Sequence, residues 1–364
     1  MKIFVLGTRG IPDVLGGVET HCEELYPRIS KLGHDVTIIT RTPYIKDKSV
    51  KLYKDVRLKH IFAPKTKSIE AIVHTFLGVL YAGIKRPDVL HVHAVGPMLL
   101  TPFARLLGLK VVVTNHGPDY NRQKWGKLAK LILKTGEYLG TKSAHKIIVI
   151  SNVIKTILRT KYNRQDPFLI YNGVNIPKLA IDDDYIKSIH LEKEKYIIAV
   201  GRFVEEKGFT DIIKAYSSIN TPYKLVLVGD ADHETTYSKQ LKKDAIEAGV
   251  VLTGFIRGKE LHQIFSHARL FVMPSYHEGL PIALLEAMSY NLDVLVSDIP
   301  ANLEVTLGDN YYFEVGNIEA IKSSILNTLE TSEKSIDYSK LLHDIYNWDI
   351  IAEQTIEVYK TLQS

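Results

Sequence analysis

Short runs of aliphatic and β-branched residues recur along this chain, each followed after a turn by a helical pattern. No other feature constrains its fold as tightly. The runs at 2–7, 35–40, 56–61, 89–93, 110–114 and 146–150 read as strands buried on both faces. Between them, helical periodicity fits 17–32, 69–84, 97–107 and roughly 124–141. The pattern then resumes with strands at 195–200, 224–229, 250–253, 270–273, 293–297 and 312–313. The helices of this half fit 210–217, 237–248, 259–267, 281–290 and 318–329. Strands alternating with helices require parallel sheets, because a crossover long enough to hold a helix returns the chain in the same direction.

Two six-strand units predict two Rossmann-like, doubly wound α/β domains, which a length of 364 residues accommodates. The join falls near Tyr171-Asn172-Gly173-Val174-Asn175, after the strand-like 168–170, giving domains 1–172 and 173–345. The polar stretch 182–194 reads as a linker or surface helix. A single cysteine, Cys22, excludes a disulfide framework and fits a reducing, cytoplasmic setting. The longest apolar run, 69–84, is broken by Glu70 and His74 and is too short to cross a bilayer.

Charge divides with the domains. Residues 1–177 carry 28 Lys and Arg against 12 Asp and Glu, and residues 178–364 carry 18 against 29, a split of +16 and −11. The first half therefore faces something anionic. Zinc-ligand spacing, a basic aromatic sheet motif and an arginine-rich tract are all missing, which argues against nucleic acid and for an anionic membrane surface or a phosphorylated acceptor. From Lys124 to Lys134, the lysines at 124, 127, 130 and 134 share one helical arc. Trp125, Leu128, Ala129, Ile132 and Leu133 take the other, with Leu131 at the border. Such a helix suits a lipid surface, or equally an apolar face packed on the sheet with its lysines in water.

The segment from Met273 to Met288 holds Glu278 and Glu286 eight positions apart, with Gly279-Leu280-Pro281 between. In a continuous helix they would stand ~12 Å apart, too far to share one small group. Pro281 instead suits a first helical turn, leaving Glu278 in the preceding loop and Glu286 inside the helix. Amides at Gly279 and Leu280 then face outward, ready for phosphate. An anion site between two carboxylates suits a nucleotide sugar; a capped helix with an acidic first turn is the alternative.

Other residues follow strands directly, where doubly wound folds bind ligands. Arg202 and Lys207, in Gly201-Arg202-Phe203-Val204-Glu205-Glu206-Lys207-Gly208, can neutralise a departing diphosphate or pair on the surface with Glu205 and Glu206. Gly16-Gly17 opens a helix after Gly7-Thr8-Arg9-Gly10-Ile11-Pro12, allowing close backbone approach without the dinucleotide fingerprint, so a nicotinamide enzyme is disfavoured. His116 can hydrogen-bond a sugar hydroxyl or polarise a reacting group. His91 and His93 are expected on opposite faces of one strand, one of them in the core, and a three-histidine metal site is not expected. Asp182-Asp183-Asp184 and Asp230-Ala231-Asp232 read as loop or cap residues rather than metal ligands.

Together these segments resemble the family-4 retaining glycosyltransferases of the GT-B fold, over nearly the whole chain. The likeness rests on Gly16-Gly17-Val18-Glu19-Thr20, Asn115-His116-Gly117, Asn172-Gly173-Val174, Gly201-Arg202 with Lys207-Gly208, Leu252-Thr253-Gly254-Phe255, and Glu278 with Glu286. The opening Gly7 to Pro12 resembles bacterial capsule and O-antigen transferases. The resemblance implies two domains facing a central cleft, with a final helix in 346–364 crossing back onto the first domain. It implies that Gly17 meets the diphosphate, His116 the donor sugar, Arg202 and Lys207 the diphosphate, Glu278 the sugar hydroxyls with help from Gly279 and Leu280, and Glu286 the ribose. The Gly254-Phe255 loop would border the base. The sequence departs from the family where Asn291 and Asp293 stand near its usual glycine and proline, and where the second glycine of a family Gly-Asp-Gly turn is replaced in Asp230-Ala231-Asp232.

The expected function is transfer of a sugar from a nucleoside diphosphate sugar to an acceptor hydroxyl with retention of configuration, in bacterial surface polysaccharide synthesis. The resemblance implies no cofactor and no metal, a lipid-linked or oligosaccharide acceptor, and a cytoplasmic enzyme touching the inner face of the membrane. A sugar-nucleotide epimerase and a non-catalytic nucleotide-sugar-binding subunit are the rival readings.

Overall fold

A computed structural model describes residues 1–14, 16–65, 69–118, 120, 126–231, 233–330 and 337–363. The chain divides into two compact units, Met1–Gly173 with Ile345–Ser364, and Val174–Asp344.

In the first unit the strands are β1 (Lys2–Leu6), β2 (Asp35–Arg41), β3 (Leu52–Tyr53), β4 (Val56–Ile61), β5 (Val89–His93), β6 (Val111–Asn115), β7 (Lys146–Val149) and β8 (Phe168–Leu169). Their order across the sheet is β3-β4-β2-β1-β5-β6-β7-β8, parallel throughout except for the β3–β4 hairpin. Helices α1 (Gly17–Lys31), α2 (Glu70–Lys85), α3 (Thr101–Leu106), α4 (Lys127–Ser143) and α5 (Asn152–Tyr162) connect them. β5 and β6 are buried at every position, which is why β6 opens on three valines and β5 keeps only its two histidines among Val and Leu.

The second unit holds α6 (Asp184–Ser188), α7 (Phe209–Ser217), α8 (Thr236–Glu247), α9 (Lys259–Ser266), α10 (Ile282–Ser289), α11 (Pro300–Leu303), α12 (Ile318–Glu330) and α13 (Ser339–Ile345), whose last residue crosses into the first. Its strands are β9 (Tyr196–Val200), β10 (Lys224–Val228), β11 (Val251–Gly254), β12 (Leu270–Met273), β13 (Asp293–Ser297) and β14 (Tyr312–Phe313), ordered β11-β10-β9-β12-β13-β14 and all parallel. The last helix, α14 (Trp348–Lys360), belongs to the first unit: Trp348, Ile351, Ala352, Ile356 and Tyr359 share one core with Cys22, Leu25, Tyr26 and Ile29 of α1.

Both sheets thus reverse their winding beside the first strand of the unit, between β1 and β5 and between β9 and β12. At such a reversal the neighbouring connections leave toward opposite faces, and a crevice opens beyond the strand ends. Glycine is required there. A Cβ on Gly7, at φ 110°, would lie 2.1 Å from the His93 carbonyl oxygen, and one on Gly208, at φ 66°, 2.1 Å from that of Pro274.

Several expectations change. The first sheet has eight strands rather than six, through the two-residue strands β3 and β8. Asn152–Tyr162 is a helix the sequence reading omitted, capped by the Ser151 hydroxyl accepting from the Ile154 amide. The basic helix begins at Lys127; Lys124 and Trp125 lie outside the described residues. Its packing face is also different, since Leu128 is 71% exposed and burial comes from Gly136, Glu137, Gly140 and Thr141. Gly140 lets α4 approach Met98 closely. Asn291 takes a left-handed φ of 55°, the conformation asparagine tolerates. Asp293 pairs with Arg269 in a buried ion pair.

Candidate active site

In the second unit, the loops beyond β9 and β12 are stitched together. After β9 the chain makes a short turn at Glu205–Lys207 that ends on Gly208. The Tyr276 amide donates to the Glu206 carbonyl at 2.9 Å, and the Tyr276 hydroxyl donates to Asp211 at 2.7 Å. Across this seam the Lys207 ammonium donates to Glu278 Oε1 at 2.5 Å, and the Ser275 hydroxyl donates to the same oxygen at 2.7 Å. Ser275 is fixed in turn, its carbonyl accepting from the Ser297 hydroxyl, and Asn302 Nδ2 donates to the Ser297 carbonyl at 2.8 Å.

The stem of Lys207 rests against Gly201 at the end of β9, and Arg202 follows, half-buried. Lys207 and Glu278 keep 17% and 11% of their side-chain surface exposed, so the pair is shielded yet reachable. Beside it the Gly279 and Leu280 amides meet no acceptor among the described residues, and α10 begins immediately after Pro281. Cationic groups, an unsatisfied pair of amides and a fixed carboxylate make a place for an anion bearing hydroxyls.

Glu286 lies on α10, partly buried but with some surface still in water. Desolvation pushes its carboxyl up to about 7, and no hydrogen-bond donor among the described residues reaches it. Gly254 ends β11 with φ 66°, its carbonyl accepting from the Gly229 amide, and Phe255 follows with 56% of its surface exposed.

In the first unit, Gly16 precedes α1 and Gly17 is its first residue, with nothing within 4 Å of where a Gly17 side chain would stand. Glu19, one turn in, reaches back to accept from the Arg9 amide at 2.9 Å and pins the β1–α1 loop. His116 follows β6, half-buried, with its Nε2 2.9 Å from His93 Nδ1. His91 and His93 were expected on opposite faces of β5. Two residues apart on a strand they share a face, and their rings lie 4.2 Å apart, both fully buried. The Tyr26 hydroxyl lies against His91 Nδ1 at 2.9 Å and His93 Nε2 at 2.5 Å, and His91 Nε2 lies 2.7 Å from the Thr114 hydroxyl. Burial holds the imidazoles of His91, His93 and His116 well below the usual histidine range. Ala94, directly after β5, has φ 68°, a strained conformation for a residue with a Cβ.

Two residues here, His21 and Glu137, escaped the sequence reading, and Asn172 was read only at the domain join and within the Asn172-Gly173-Val174 motif. His21 on α1 places its ring 4.9 Å from His116 and 5.3 Å from His93. Asn172 accepts from His21 Nδ1 at 2.7 Å. Glu137 on α4, 1% exposed, accepts from Asn115 Nδ2, the Tyr120 and Tyr162 hydroxyls and Lys161, and so anchors the loop that carries His116. The available signal was polarity inside buried stripes: His21 precedes Cys22 and lies four residues before Leu25.

The acidic triplets are occupied by lysines: Asp182 and Asp184 by Lys259, Asp183 by Lys187 and Lys193, and Asp230 by Lys242. Asp232 lies outside the described residues. Among the described residues the one group with metal-ligand spacing is His21, His93 and His116, whose ligand atoms fall within 4.8 Å of one another. No helix of the described residues is long and apolar enough to cross a membrane.

The Glycosyltransferase Family 4 model matches residues 15–177, and the Glycosyl transferases group 1 model matches residues 181–341. An uncharacterized glycosyltransferase of Methanocaldococcus jannaschii is 26% identical, covering 99% of this chain and 98% of its own. O-antigen chain mannosyltransferase B of Escherichia coli is 25% identical over 61% of this chain and 64% of its own. Among solved structures, sucrose-phosphate synthase from Thermosynechococcus elongatus superposes with a TM-score of 0.84 at 19% identity, covering 99% of this chain and 98% of that one. Anabaena HepE in complex with UDP-glucose gives 0.79 at 17% identity, covering 99% and 100%. Two consecutive family models, full-length relatives and two parallel sheets of matching fold agree: the chain belongs to the family-4 glycosyltransferases of the GT-B fold.

Proposed function

We propose that the protein transfers a sugar from a nucleoside diphosphate sugar to an acceptor hydroxyl with retention of anomeric configuration, in the synthesis of a bacterial surface polysaccharide. The observation that carries this reading is the Lys207–Glu278 pair beside the open Gly279 and Leu280 amides, at the sheet reversal of the second unit. The diphosphate takes the amides and the charges of Lys207 and Arg202, Glu278 accepts from sugar hydroxyls, and Glu286 accepts from the ribose. Gly16 and Gly17 offer backbone to the diphosphate, His116 meets the sugar near the reacting carbon, and Gly254 and Phe255 border the base. Support for the donor class comes from HepE, a fold relative solved with UDP-glucose, and support for the pathway from the O-antigen mannosyltransferases.

In the reaction, the bond from the anomeric carbon to the diphosphate breaks and its electron pair leaves with the phosphate oxygen. The acceptor oxygen bonds to the same face of that carbon, and its proton passes to the departing phosphate. Lys207, Arg202 and the amides stabilise charge as it develops, so the chain supplies positioning and electrostatics and no covalent nucleophile. The acceptor is a lipid-linked or oligosaccharide hydroxyl, and the excess positive charge of residues 1–177 favours work beside an anionic membrane.

Thermal-shift screening against a panel of nucleoside diphosphates should single out one base. Product NMR with the corresponding sugar donor and an acceptor panel should then show an unchanged anomeric configuration. Lys207→Ala and Glu286→Ala should each lose most turnover; full activity in either would defeat the assignment.

A further inference from the structure

Among the described residues, His21 is the side chain beside His116 with a buried nitrogen left unpartnered. Its Nδ1 faces Asn172 Oδ1 at 2.7 Å. Since a carboxamide oxygen only accepts, Nδ1 carries the proton and Nε2 carries a lone pair. Nε2 is buried, with His21 5% exposed, and meets no hydrogen-bond partner among the described residues. A buried acceptor in this state costs free energy that a ligand can recover. The nearest rings are those of His116 and His93.

We propose that His21 Nε2, His93 Nδ1 and His116 Nε2 form a three-imidazole site for a soft divalent transition metal of the Zn²⁺ type, and that the bound metal inhibits the enzyme. Neutral imidazoles suit such cations, and three of them with an open fourth position make a recurring zinc arrangement. Zn–N bonds of about 2.0–2.1 Å in a tetrahedron separate ligand nitrogens by ~3.3 Å. His93 Nδ1 and His116 Nε2 stand at 2.9 Å, and one ring nitrogen from each of the three histidines lies within 4.8 Å of the others, so closure needs only small ring movements.

The surrounding bonds are those that orient metal-binding imidazoles. Each such ring donates its second N–H to a fixed acceptor. His21 donates to Asn172, and His93 Nε2 lies against the Tyr26 hydroxyl, which can pass its own proton toward His91 Nδ1. With His93 Nδ1 as acceptor, His116 Nε2 supplies the proton between them. The metal replaces that bond, and the His116 proton shifts to Nδ1 without change of charge. His116 is the half-buried member and gives the route of entry. The inhibitory step alone rests on the proposed contact between His116 and the donor sugar; the site itself does not.

Calorimetric titration of the full chain with Zn²⁺, after chelator treatment, tests the site. One equivalent should bind, and Co²⁺ should give the visible absorption of a tetrahedral nitrogen site. His21→Gln and His93→Gln should lose this equivalent, Asn172→Ala should weaken it ~10–100-fold, and the exposed His343→Gln should leave it intact. Circular dichroism of each variant identifies misfolding, and the wild-type Co²⁺ spectrum stands whichever variants fold. No stoichiometric Zn²⁺ binding by the wild type, no tetrahedral Co²⁺ spectrum, or unchanged binding by folded His21→Gln overturns the site. Zn²⁺ should abolish sugar transfer and a chelator restore it. Stoichiometric binding with full turnover would instead overturn the placing of the donor at His116.

Discussion

Replacing Glu286 with glutamine should make the protein more stable and less able to use its donor, and the stability gain should depend on pH. The Glu286 carboxyl is pushed from 4.5 up to about 7 by desolvation. A folded-state value above the unfolded one means that the native state holds the proton more tightly between these two pH values. The group therefore disturbs folding least below 4.5, and stability is lost as pH rises through 7. The cost at pH 5 is about 0.8 kcal/mol, and at pH 8 it approaches about 3.3 kcal/mol, since each unit is worth about 1.4 kcal/mol. Glu286→Gln removes the charge and keeps the shape, so calorimetric melts should show the second unit stabilised by about 6–13 °C at pH 8 and by only a few degrees at pH 5. Ribose hydroxyls donating to the carboxylate would favour its ionised form. Nucleotide binding at pH 7 should therefore release up to about half a proton, read from calorimetry in buffers of differing ionisation enthalpy. Equal melting shifts at pH 5 and pH 8, or no gain at either, would refute the argument that Glu286 stores an unmet desolvation cost.

Two further outcomes follow from the geometry. Burial lowers the His21 imidazole to about 4, so between pH 6.5 and 4 the unfolded chain binds the extra proton and the first unit loses about 3 kcal/mol from this residue alone. Trp348 sits in the core of that unit, and its emission should report acid unfolding there; emission unchanged down to pH 4 would contradict it. Gly208→Ala should cost the second unit ~3 kcal/mol, because φ and the Pro274 carbonyl both oppose a Cβ. Gly249→Ala, with a similar φ and open space, should cost only ~1 kcal/mol, and equal denaturation midpoints for the two would show that the contact with Pro274 is not limiting.

The parallel architecture was legible because a strand covered on both faces leaves a continuous apolar run, as residues 225–228 of β10 and Leu270–Met273 of β12 do. The two-residue strand β3 carries no such run and was fixed by its hairpin with β4, whereas β8 falls on the segment 168–170 that already reads as strand-like. Residues placed directly after strands, Lys207 and Glu278 among them, could be nominated because a sheet reversal gathers strand ends; their 2.5 Å contact could not. The histidines show the opposite case. Strand parity alone puts His91 and His93 on one face, so that expectation failed through a miscounted period. His21 and Asn172 are 151 residues apart in sequence, and nothing local announces a pairing that only tertiary folding creates. Leu128 was misjudged because glycines, which leave no apolar signal, set the contact face of α4.

The position of α14 has a consequence for how the chain is made. Its side chains complete the core of the first unit, yet they are synthesised only after the whole of the second unit. The second unit is a contiguous insertion and has all its residues available as soon as Asp344 is translated. Domains usually fold in the order of synthesis. Here the insertion can reach its native state while α1 still exposes Cys22, Leu25 and Tyr26 to water, and the unit holding α1 is completed only after the unit inserted into it.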